Sequence, residues 1–350
     1  MDYDPAYMQR AIQLAGLGKA CVAPNPMVGA VIVHDNKIIG EGYHRKYGGP
    51  HAEVNAVASV GQKSLLREAT MYVNLEPCNH HGLTPACTNL IIQSGIPRLV
   101  IGQPDPNPLV AGKGIKRLHD TGIEVLTGVL ESESRELNRR FNTFHERKRP
   151  YVILKWAKTS DGFVDLVRKK DDPIQPNWIT DEYCRRLVHK WRSEESAIMV
   201  GTDTALKDNP KLNIRLWKGK DPLRIVLDRK LRLKKDLNLL DGSIPTIVYT
   251  SEEKEGKANL EYAVVDFDDN LLDSIMNDLY RRSIQSVIIE GGPKLLKSFI
   301  KCNLWDEARV FTGPLKFNQG VKAPDFPFSP IKEMETGNSK LEVYRNRDEC

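Results

Sequence analysis

Two short segments carry side chains that bind metal, and they constrain the fold more than any other feature of the chain. The first reads His51-Ala52-Glu53, and the second contains Cys78, followed nine positions later by Cys87. One neutral imidazole and two thiolates make three ligands of a tetrahedral zinc site and leave the fourth position to water. A glutamate two residues after the histidine can lie beside that water without binding the metal. We therefore expect one zinc ion per chain, held by His51, Cys78 and Cys87, with Glu53 nearby.

This donor set is that of zinc nucleobase deaminases, in which a His/Cys/Cys-held zinc activates water and a nearby glutamate moves protons. In that chemistry Glu53 takes the proton of the water, passes it to a ring nitrogen and later protonates the leaving amine. The usual cysteine spacing of the class is Cys-x-x-Cys, so the loop from Cys78 to Cys87 is unusually long. The alternative is a closed structural zinc site, to which His80 or His81 would supply a fourth ligand.

Length and composition narrow the class of protein. A chain of 350 residues is long for one hydrophobic core, so two domains are expected. The net charge of +5 is modest, whereas nucleic-acid binding usually needs a strongly basic domain or face. We find no apolar run of the ~20 residues that span a bilayer. The acidic N-terminus lacks a signal-peptide pattern, so a cytoplasmic location is expected. Six cysteines are too sparse for a disulfide scaffold, which favours metal binding by two of them.

Strands and helices alternate in the first part of the chain, which predicts a three-layer α/β/α sandwich over residues 1–147. The helix predicted over Ala52–Ser59 begins on the His-Ala-Glu segment, and the zinc loop follows a strand predicted over Thr70–Asn74. Ligands of such sheets bind at strand ends, where both halves of the motif fall. A further helix is predicted over Ser132–Arg140, and the basic cluster from Arg139 to Arg149 is placed in a linker.

A second α/β unit is predicted over residues 150–350. It begins with a strand from Tyr151 to Lys155 and continues with a helix over Asp181–Trp191, for which Thr180 is the candidate N-cap. The segment Gly291-Gly292-Pro293 follows a predicted strand and opens a helix. Glycines in such a position let backbone N–H groups approach a phosphate.

Several motifs, taken in order, resemble one family. They are Asn25-Pro26-x-Val28-Gly29, Gly42-Tyr43-His44, the His-Ala-Glu segment, Glu76-Pro77-Cys78 with its long loop, and Asp105-Pro106-Asn107-Pro108. They resemble the bifunctional riboflavin-biosynthesis deaminase/reductase family, which joins a cytidine-deaminase-like domain to a dihydrofolate-reductase-like α/β domain. The resemblance implies zinc on the three ligands above and a catalytic Glu53. It also implies that the pyrimidine substrate is bound by Asn25, His44, His80, Asp105 and Asn107.

Motifs of the second half extend the resemblance over nearly the whole chain. The resemblance implies an NADPH site that includes Lys158, Trp178, Thr204, Asp208 and Gly292. It implies a site for the phosphorylated sugar-amine substrate that includes Arg192, Leu212, Arg215 and Glu290. Arginine suits the phosphate of that substrate because its guanidinium can bind an oxyanion bidentately. The chain departs from the family pattern at Ala86, Ser160, Asn209, the insert Val167–Pro176 and the stretched segment Pro314–Gly320.

The activity implied by the resemblance has two steps. The 2-amino group of a diamino-ribosylamino-pyrimidinone 5′-phosphate is hydrolysed, and NADPH then reduces the ribosyl group to ribityl. We expect a homo-oligomer with neither nucleic acid nor membrane as a partner. One rival is a nucleic-acid editing deaminase with an appended binding domain, but the aromatic-basic strip that binds single strands is missing. The other is a non-catalytic α/β protein with structural zinc, against which stand Glu53 and only three obvious ligands.

Overall fold

The computed structural model describes residues 3–80, 85–108, 110–169 and 172–346. His81, a candidate fourth zinc ligand, lies outside the described residues, as do residues 170 and 171 of the insert. The chain divides into two compact units, Met1–Lys148 and Arg149–Cys350. Within the described residues, no helix combines the length and the apolar character that crossing a bilayer requires.

The first unit is a five-stranded sheet with helices on both faces. Its strands are β1 (Gly29–His34), β2 (Lys37–Tyr43), β3 (Thr70–Leu75), β4 (Arg98–Gln103) and β5 (Glu124–Thr127). Its helices are α1 (Pro5–Gly16), α2 (Ala52–Ser59), α3 (Cys87–Ser94), α4 (Lys113–Asp120), α5 (Glu131–Leu137) and α6 (Arg139–Arg147), with a 3-10 turn at Lys63–Glu68. The strand order is β2-β1-β3-β4-β5. Strand β1 pairs antiparallel with both neighbours, whereas β3, β4 and β5 are parallel.

Alternation along β1 explains the three layers. Ala30 and Ile32 point to the face covered by α2 and α3, and Val31 and Val33 point to the face covered by α1. A strand buried on both faces reads as a continuous apolar run, which is how β1 reads. The prediction of a three-layer α/β/α sandwich is therefore confirmed.

The second unit is built on a nine-stranded sheet and a two-stranded ribbon. Its strands are β6 (Tyr151–Lys158), β7 (Phe163–Asp165), β8 (Ala197–Gly201), β9 (Leu223–Leu227), β10 (Thr246–Thr250), β11 (Leu260–Val264), β12 (Ser286–Ile289), β13 (Glu307–Thr312), β14 (Val321–Lys322), β15 (Lys332–Thr336) and β16 (Ser339–Arg345). Its helices are α7 (Glu182–Glu194), α8 (Thr202–Asp208), α9 (Leu271–Arg281) and α10 (Pro293–Lys301), with a 3-10 turn at Asn238–Leu240.

The large sheet has the order β11-β10-β9-β8-β12-β6-β13-β16-β15, and strands β7 and β14 form the ribbon. The strands from β11 to β13 in that order are parallel, and β16 and β15 add an antiparallel edge. Along β6, Val152 and Leu154 pack with α9 and α10, while Tyr151 and Ile153 pack with α7 on the other face. This second unit is thus also a layered α/β fold.

Three sequence predictions were wrong in detail. Residues 139–147 of the basic cluster placed in a linker instead form helix α6. Phe141 and Phe144, three positions apart, are both buried, and Asn142 accepts a hydrogen bond from Gln103 Nε2 of β4 at 3.0 Å. The helix predicted over Ser132–Arg140 is divided between α5 and α6 at Asn138. The N-cap of α7 is Asp181, whose carboxylate accepts a hydrogen bond from the backbone N–H of Cys184, and not Thr180.

Candidate active sites

The three candidate zinc ligands converge in the first unit. Their ligand atoms all lie within 4.8 Å of one another. His51 Nδ1 is 3.2 Å from Cys87 Sγ and 3.6 Å from Cys78 Sγ. Metal–ligand distances of about 2.3 Å for sulfur and about 2.05 Å for nitrogen separate N from S by about 3.6 Å in a tetrahedral site. The donor set therefore fits zinc in both chemistry and spacing.

Three neighbouring elements bring the ligands together. His51 is the N-cap of α2, Cys78 follows the carboxyl end of β3, and Cys87 is the first residue of α3. Helix α2 lies close to β2 because residue 42 is glycine. A Cβ on Gly42 would come within 2.3 Å of the backbone N of Ala56, so any side chain there would push the histidine-bearing helix away.

Glu53 lies in the first turn of α2 and is only 3% exposed. Burial and the charge of Cys78 raise the pKa of the Glu53 carboxyl above its usual range. A raised pKa suits a carboxyl that must both accept and return a proton near neutral pH. The hydrogen bond with Cys87 and the contact with His51 together outweigh burial and lower the pKa of the Cys78 thiol to about 4, which favours the thiolate form that binds metal.

Asn25 and His44 lie beside the metal ligands. The rings of His44 and His51 pack edge to face with centroids 5.4 Å apart. Because His44 Nδ1 lies 3.0 Å from the carbonyl oxygen of Pro50, it carries the proton, and Nε2 accepts a hydrogen bond from Asn25 Nδ2 at 3.1 Å. Burial lowers the pKa of His44, which keeps this neutral tautomer. The amide of Asn25 is thereby oriented by a hydrogen bond from one of its N–H groups to His44.

Asp105, Asn107 and His80 belong to the loops around the same site. The Asp105 carboxylate accepts a hydrogen bond from the backbone N–H of Asn107 at 2.8 Å. Burial raises the pKa of Asp105 to about 6, while the nearby His80 acts in the opposite direction. His80 itself is exposed to solvent.

Glu76 belongs to one of the sequence motifs, where no role was predicted for it. It is 3% exposed, and its carboxylate accepts four backbone hydrogen bonds. The donors are the N–H groups of Asp105 (3.1 Å), Gly112 (3.0 Å), Gly114 (2.9 Å) and Ile115 (3.3 Å). Glu76 thereby ties the loop of Asp105 and Asn107 to the strand end that carries Cys78. The position of a glutamate directly before Pro-Cys, at the end of an apolar strand, could have indicated this role.

The second unit contains a cavity of about 1290 Å³. Its lining includes the carboxyl ends of β6, β8 and β9 and Glu290, which follows β12. Ligands of open parallel sheets bind at such strand ends. Single small-molecule sites occupy about 300–1,000 Å³, so this cavity has room for a dinucleotide and a second ligand together.

Four of the five residues predicted for NADPH line this cavity, namely Trp178, Thr204, Asp208 and Gly292. Gly292 precedes α10 with a φ of +66°, and a Cβ there would approach Thr204 Oγ1 to 3.2 Å, so glycine keeps the helix start open. An open helix start that lines the cavity suits the binding of a dinucleotide phosphate. Lys158, the fifth, is not among the described residues that line the cavity.

Lys155 lines the cavity and was missed as a site residue. Its Nζ lies 3.9 Å from Glu290 Oε2, and burial lowers its pKa. The signal was a lysine within the apolar run of β6, since a charge on a central strand needs a partner or a ligand.

The residues predicted for the sugar substrate, Arg192, Leu212, Arg215 and Glu290, all line the same cavity. Arg192 and Glu290 form a two-pronged ion pair, with Nε–Oε1 at 2.9 Å and NH2–Oε2 at 2.8 Å. Burial would raise the pKa of Glu290, but Arg192 and Lys155 outweigh it and lower that pKa to about 2.

Asp208 is held by an arginine from the insert. Arg168 NH2 donates to Asp208 Oδ1 at 2.7 Å, and its Nε and NH2 also bind the two oxygens of Asp165 at 3.0 and 3.1 Å. Arg168 NH1 donates to the carbonyl oxygens of Gln175 and Lys207, both at 2.8 Å. The insert therefore contributes to the cavity wall and fixes a residue predicted to contact the cofactor.

Comparisons with known proteins agree with this division. Residues 1–103 match the cytidine and deoxycytidylate deaminase zinc-binding region, and residues 150–322 match the RibD C-terminal domain. The chain is 41% identical over 337 residues to the riboflavin biosynthesis protein RibD of Aquifex aeolicus (strain VF5), covering 95% of this chain and 93% of the relative. It is 33% identical over 362 residues to RibD of Escherichia coli (strain K12), covering 95% and 96%.

Solved structures are similar over the whole chain. A diaminohydroxyphosphoribosylaminopyrimidine deaminase/5-amino-6-(5-phosphoribosylamino)uracil reductase from Thermotoga maritima is 40% identical, with a TM-score of 0.87 and coverage of 97% of this chain and 98% of that one. RibD of Acinetobacter baumannii is 32% identical, with a TM-score of 0.87 and 97% coverage of both chains. These matches confirm the predicted fold class, a cytidine-deaminase-like domain and a dihydrofolate-reductase-like domain.

Proposed function

Because the chain belongs to the family of the riboflavin biosynthesis protein RibD, a bifunctional zinc-dependent deaminase and NADPH-dependent reductase, we propose which of its residues perform each reaction. Residues 1–147 carry the deaminase and residues 150–350 the reductase. The single observation that supports the deaminase assignment best is the convergence of His51, Cys78 and Cys87 beside the buried Glu53.

The first reaction is hydrolytic deamination of 2,5-diamino-6-(5-phosphoribosylamino)pyrimidin-4(3H)-one. Zinc held by the three ligands would supply an acidified water. Glu53 accepts a proton of the attacking water, passes it to the ring nitrogen and later protonates the leaving amine, so that water is consumed and ammonia is released. Asn25, ordered by His44, offers its amide oxygen to the ring, and Asp105, Asn107 and His80 bind the substrate from the facing loops.

The second reaction reduces the ribosyl group of 5-amino-6-(5-phosphoribosylamino)uracil to ribityl. NADPH supplies the hydride that reduces C1 of the opened sugar. Trp178, Thr204, Asp208 and Gly292 bind the cofactor within the cavity, and Lys158 contributes from the end of β6. Arg192, Leu212, Arg215 and Glu290 bind and orient the phosphorylated sugar chain. Binding energy from groups remote from C1 is thereby used to position the hydride acceptor.

The deaminase assignment is tested by Glu53→Gln, with the exposed Glu68→Gln as the matched control. The amide keeps the shape of the carboxylate but cannot accept and return a proton. We expect zinc content to stay near one per chain while ammonia release falls by about 10²–10⁴-fold. Near-normal ammonia release by the zinc-loaded Glu53→Gln protein would remove Glu53 from the mechanism.

The reductase assignment is tested by Arg215→Lys. Lysine keeps the charge but cannot reproduce the paired geometry of a guanidinium on a phosphate. We expect NADPH oxidation with the phosphorylated substrate to be clearly impaired, and the preference over the dephosphorylated substrate to shrink. A mutant that keeps the whole preference would show that Arg215 does not bind the phosphate.

A cytoplasmic location and a homo-oligomeric state also belong to this proposal. Cell fractionation and the mass of the purified chain in solution test them.

A further inference from the structure

The backbone of Met27, in the loop between α1 and β1, is held by the side chains of two distant asparagines. Asn138 accepts a hydrogen bond from the Met27 N–H at 2.8 Å and donates one to the Met27 carbonyl oxygen at 2.9 Å. Asn74 donates to the same carbonyl oxygen at 3.1 Å and accepts from the N–H of Gly29 at 2.8 Å. Both asparagines are buried, so these hydrogen bonds form away from water.

Asn138 is the residue at which the helix predicted over Ser132–Arg140 is divided into α5 and α6. Met27 lies outside the helices and strands, so its N–H and its carbonyl oxygen need partners other than those of regular structure. A primary amide carries a donor and an acceptor side by side and can bind both groups of one residue. The junction of the two helices thus places an amide where a neighbouring strand would otherwise pair with Met27.

The residue held in this way is two positions from Asn25, which is predicted to bind the pyrimidine. Pro26 stands between them, and its ring fixes its own φ and restricts the backbone of the residue before it. On its other side, the N–H of Asn25 donates to the carbonyl oxygen of Val22 at 2.8 Å. The chain therefore has little freedom between the anchored Met27 and Asn25, and the position of Met27 determines where the Asn25 side chain lies.

We propose that Asn138 is a positioning residue of the deaminase. Together with Asn74 it fixes Met27, and through Met27 it places the amide of Asn25 against the substrate ring. Such an anchor matters because a misplacement of about 1 Å at a binding group can cost about 100-fold in rate. This inference rests on the proposed substrate role of Asn25 and assigns a role to two residues for which none was predicted.

The test is a double-mutant cycle of Asn138→Ala and Asn25→Ala. For each protein, zinc content is measured together with kcat and KM for ammonia release from the diaminopyrimidine substrate. Asn142→Ala is the matched control on α6. Asn142 is also a buried asparagine, but its side chain binds Gln103 and the carbonyl oxygen of Arg135. This control removes a buried amide and leaves both hydrogen bonds of Asn138 to Met27 in place.

We expect Asn138→Ala to keep its zinc and to lower kcat/KM by about 10- to 100-fold, mainly through KM, because the displaced amide binds the ring less well. Asn142→Ala should stay near the wild type. In the Asn25→Ala background, Asn138→Ala should lower kcat/KM by less than about 3-fold, because the amide that it positions is absent. A residue that only stabilised the unit would have the same effect in both backgrounds.

Asn74→Ala is a second variant that frees Met27 from the side of β3, and it should show the same dependence on Asn25. It decides the question if Asn138→Ala does not retain zinc. Equal losses in both backgrounds, or loss of zinc from both variants, would overturn the proposal, because the two amides would then support the unit as a whole.

Failure of this inference differs from failure of the proposed function. If Asn25→Ala lowers kcat/KM and Asn138→Ala does not, Asn25 binds the substrate without the help of Asn138, and this inference alone is wrong. If Asn25→Ala releases ammonia like the wild type, the substrate role of Asn25 in the proposed function is refuted, and this inference fails with it. Reduction of the deaminated substrate by each variant reports that the second unit is intact.

Discussion

Replacing Glu76 by glutamine should loosen the deaminase unit without touching its metal ligands. The Glu76 carboxylate accepts four backbone N–H groups, two on each oxygen. In Glu76→Gln one oxygen becomes an NH2 group, so two backbone N–H donors lose their acceptor and face another donor. Each lost charge-assisted hydrogen bond costs about 1.5–3 kcal/mol, which gives about 3–6 kcal/mol for the pair. This is a large part of the 5–15 kcal/mol that typically stabilises a domain.

The assay follows each unit separately in urea. Retention of zinc and release of ammonia report the first unit. Tryptophan fluorescence reports the second unit alone, because all five tryptophans follow residue 150. We expect Glu76→Gln to lose zinc and deamination at a much lower urea concentration, with the fluorescence transition unchanged. The exposed Glu133→Gln serves as the control. Zinc retention and deamination equal to wild type across the titration would refute the role of Glu76 as the anchor of this loop.

Three further predictions concern the separate units. Cys87→Ser should lose zinc and deamination but still reduce the deaminated substrate, and parallel loss of both activities in a folded protein would contradict independent sites. Arg168→Met should raise the KM for NADPH with ammonia release unchanged, because Asp208 and the insert lose the arginine that holds them together. An unchanged KM would show that this ion pair has no part in cofactor binding. Burial, Arg192 and Arg215 lower the pKa of His189 to about 4. Only the unfolded state then binds its proton between pH 6.5 and 4, so stability falls as pH falls. From pH 7 to 5 the wild-type fluorescence transition should lose about 2 kcal/mol more than that of His189→Gln; equal losses would contradict this.

The sequence predicted local features better than distant pairings. Helix α2 begins at Ala52 as predicted, because the metal-binding segment and the apolar helical pattern both start at this point of the sequence. Thr180 and Asp181 are both good N-caps, and only the tertiary fold decides between them. The basic cluster from Arg139 is rich in charge, which favours a solvated linker. The two phenylalanines that are buried in α6 are hard to recognise among these charged residues.

Site residues were likewise easier to predict from local sequence than from pairings between distant positions. The zinc ligands were evident because their chemistry is carried by residue type and short spacing. The ion pair of Arg192 with Glu290 joins residues 98 positions apart, and Arg168 reaches Asp208 across 40 positions, so neither could be read from local pattern. Lys155 and Lys158 lie on the same strand, and which of them faces the cavity depends on how β6 sits in the sheet.

The central claim is that one chain performs two reactions in a fixed order at two sites. Product analysis of the zinc-loaded wild type with the diaminopyrimidine substrate, with and without NADPH, tests it most directly. We predict that ammonia and the ribosylaminouracil phosphate accumulate without NADPH, and that the ribityl product appears when NADPH is added. With the same substrate, Glu53→Gln should form neither product, yet it should reduce the ribosylaminouracil phosphate when that compound is supplied. Reduction of the diaminopyrimidine by Glu53→Gln at the wild-type rate, or no ammonia from the wild type, would contradict the account.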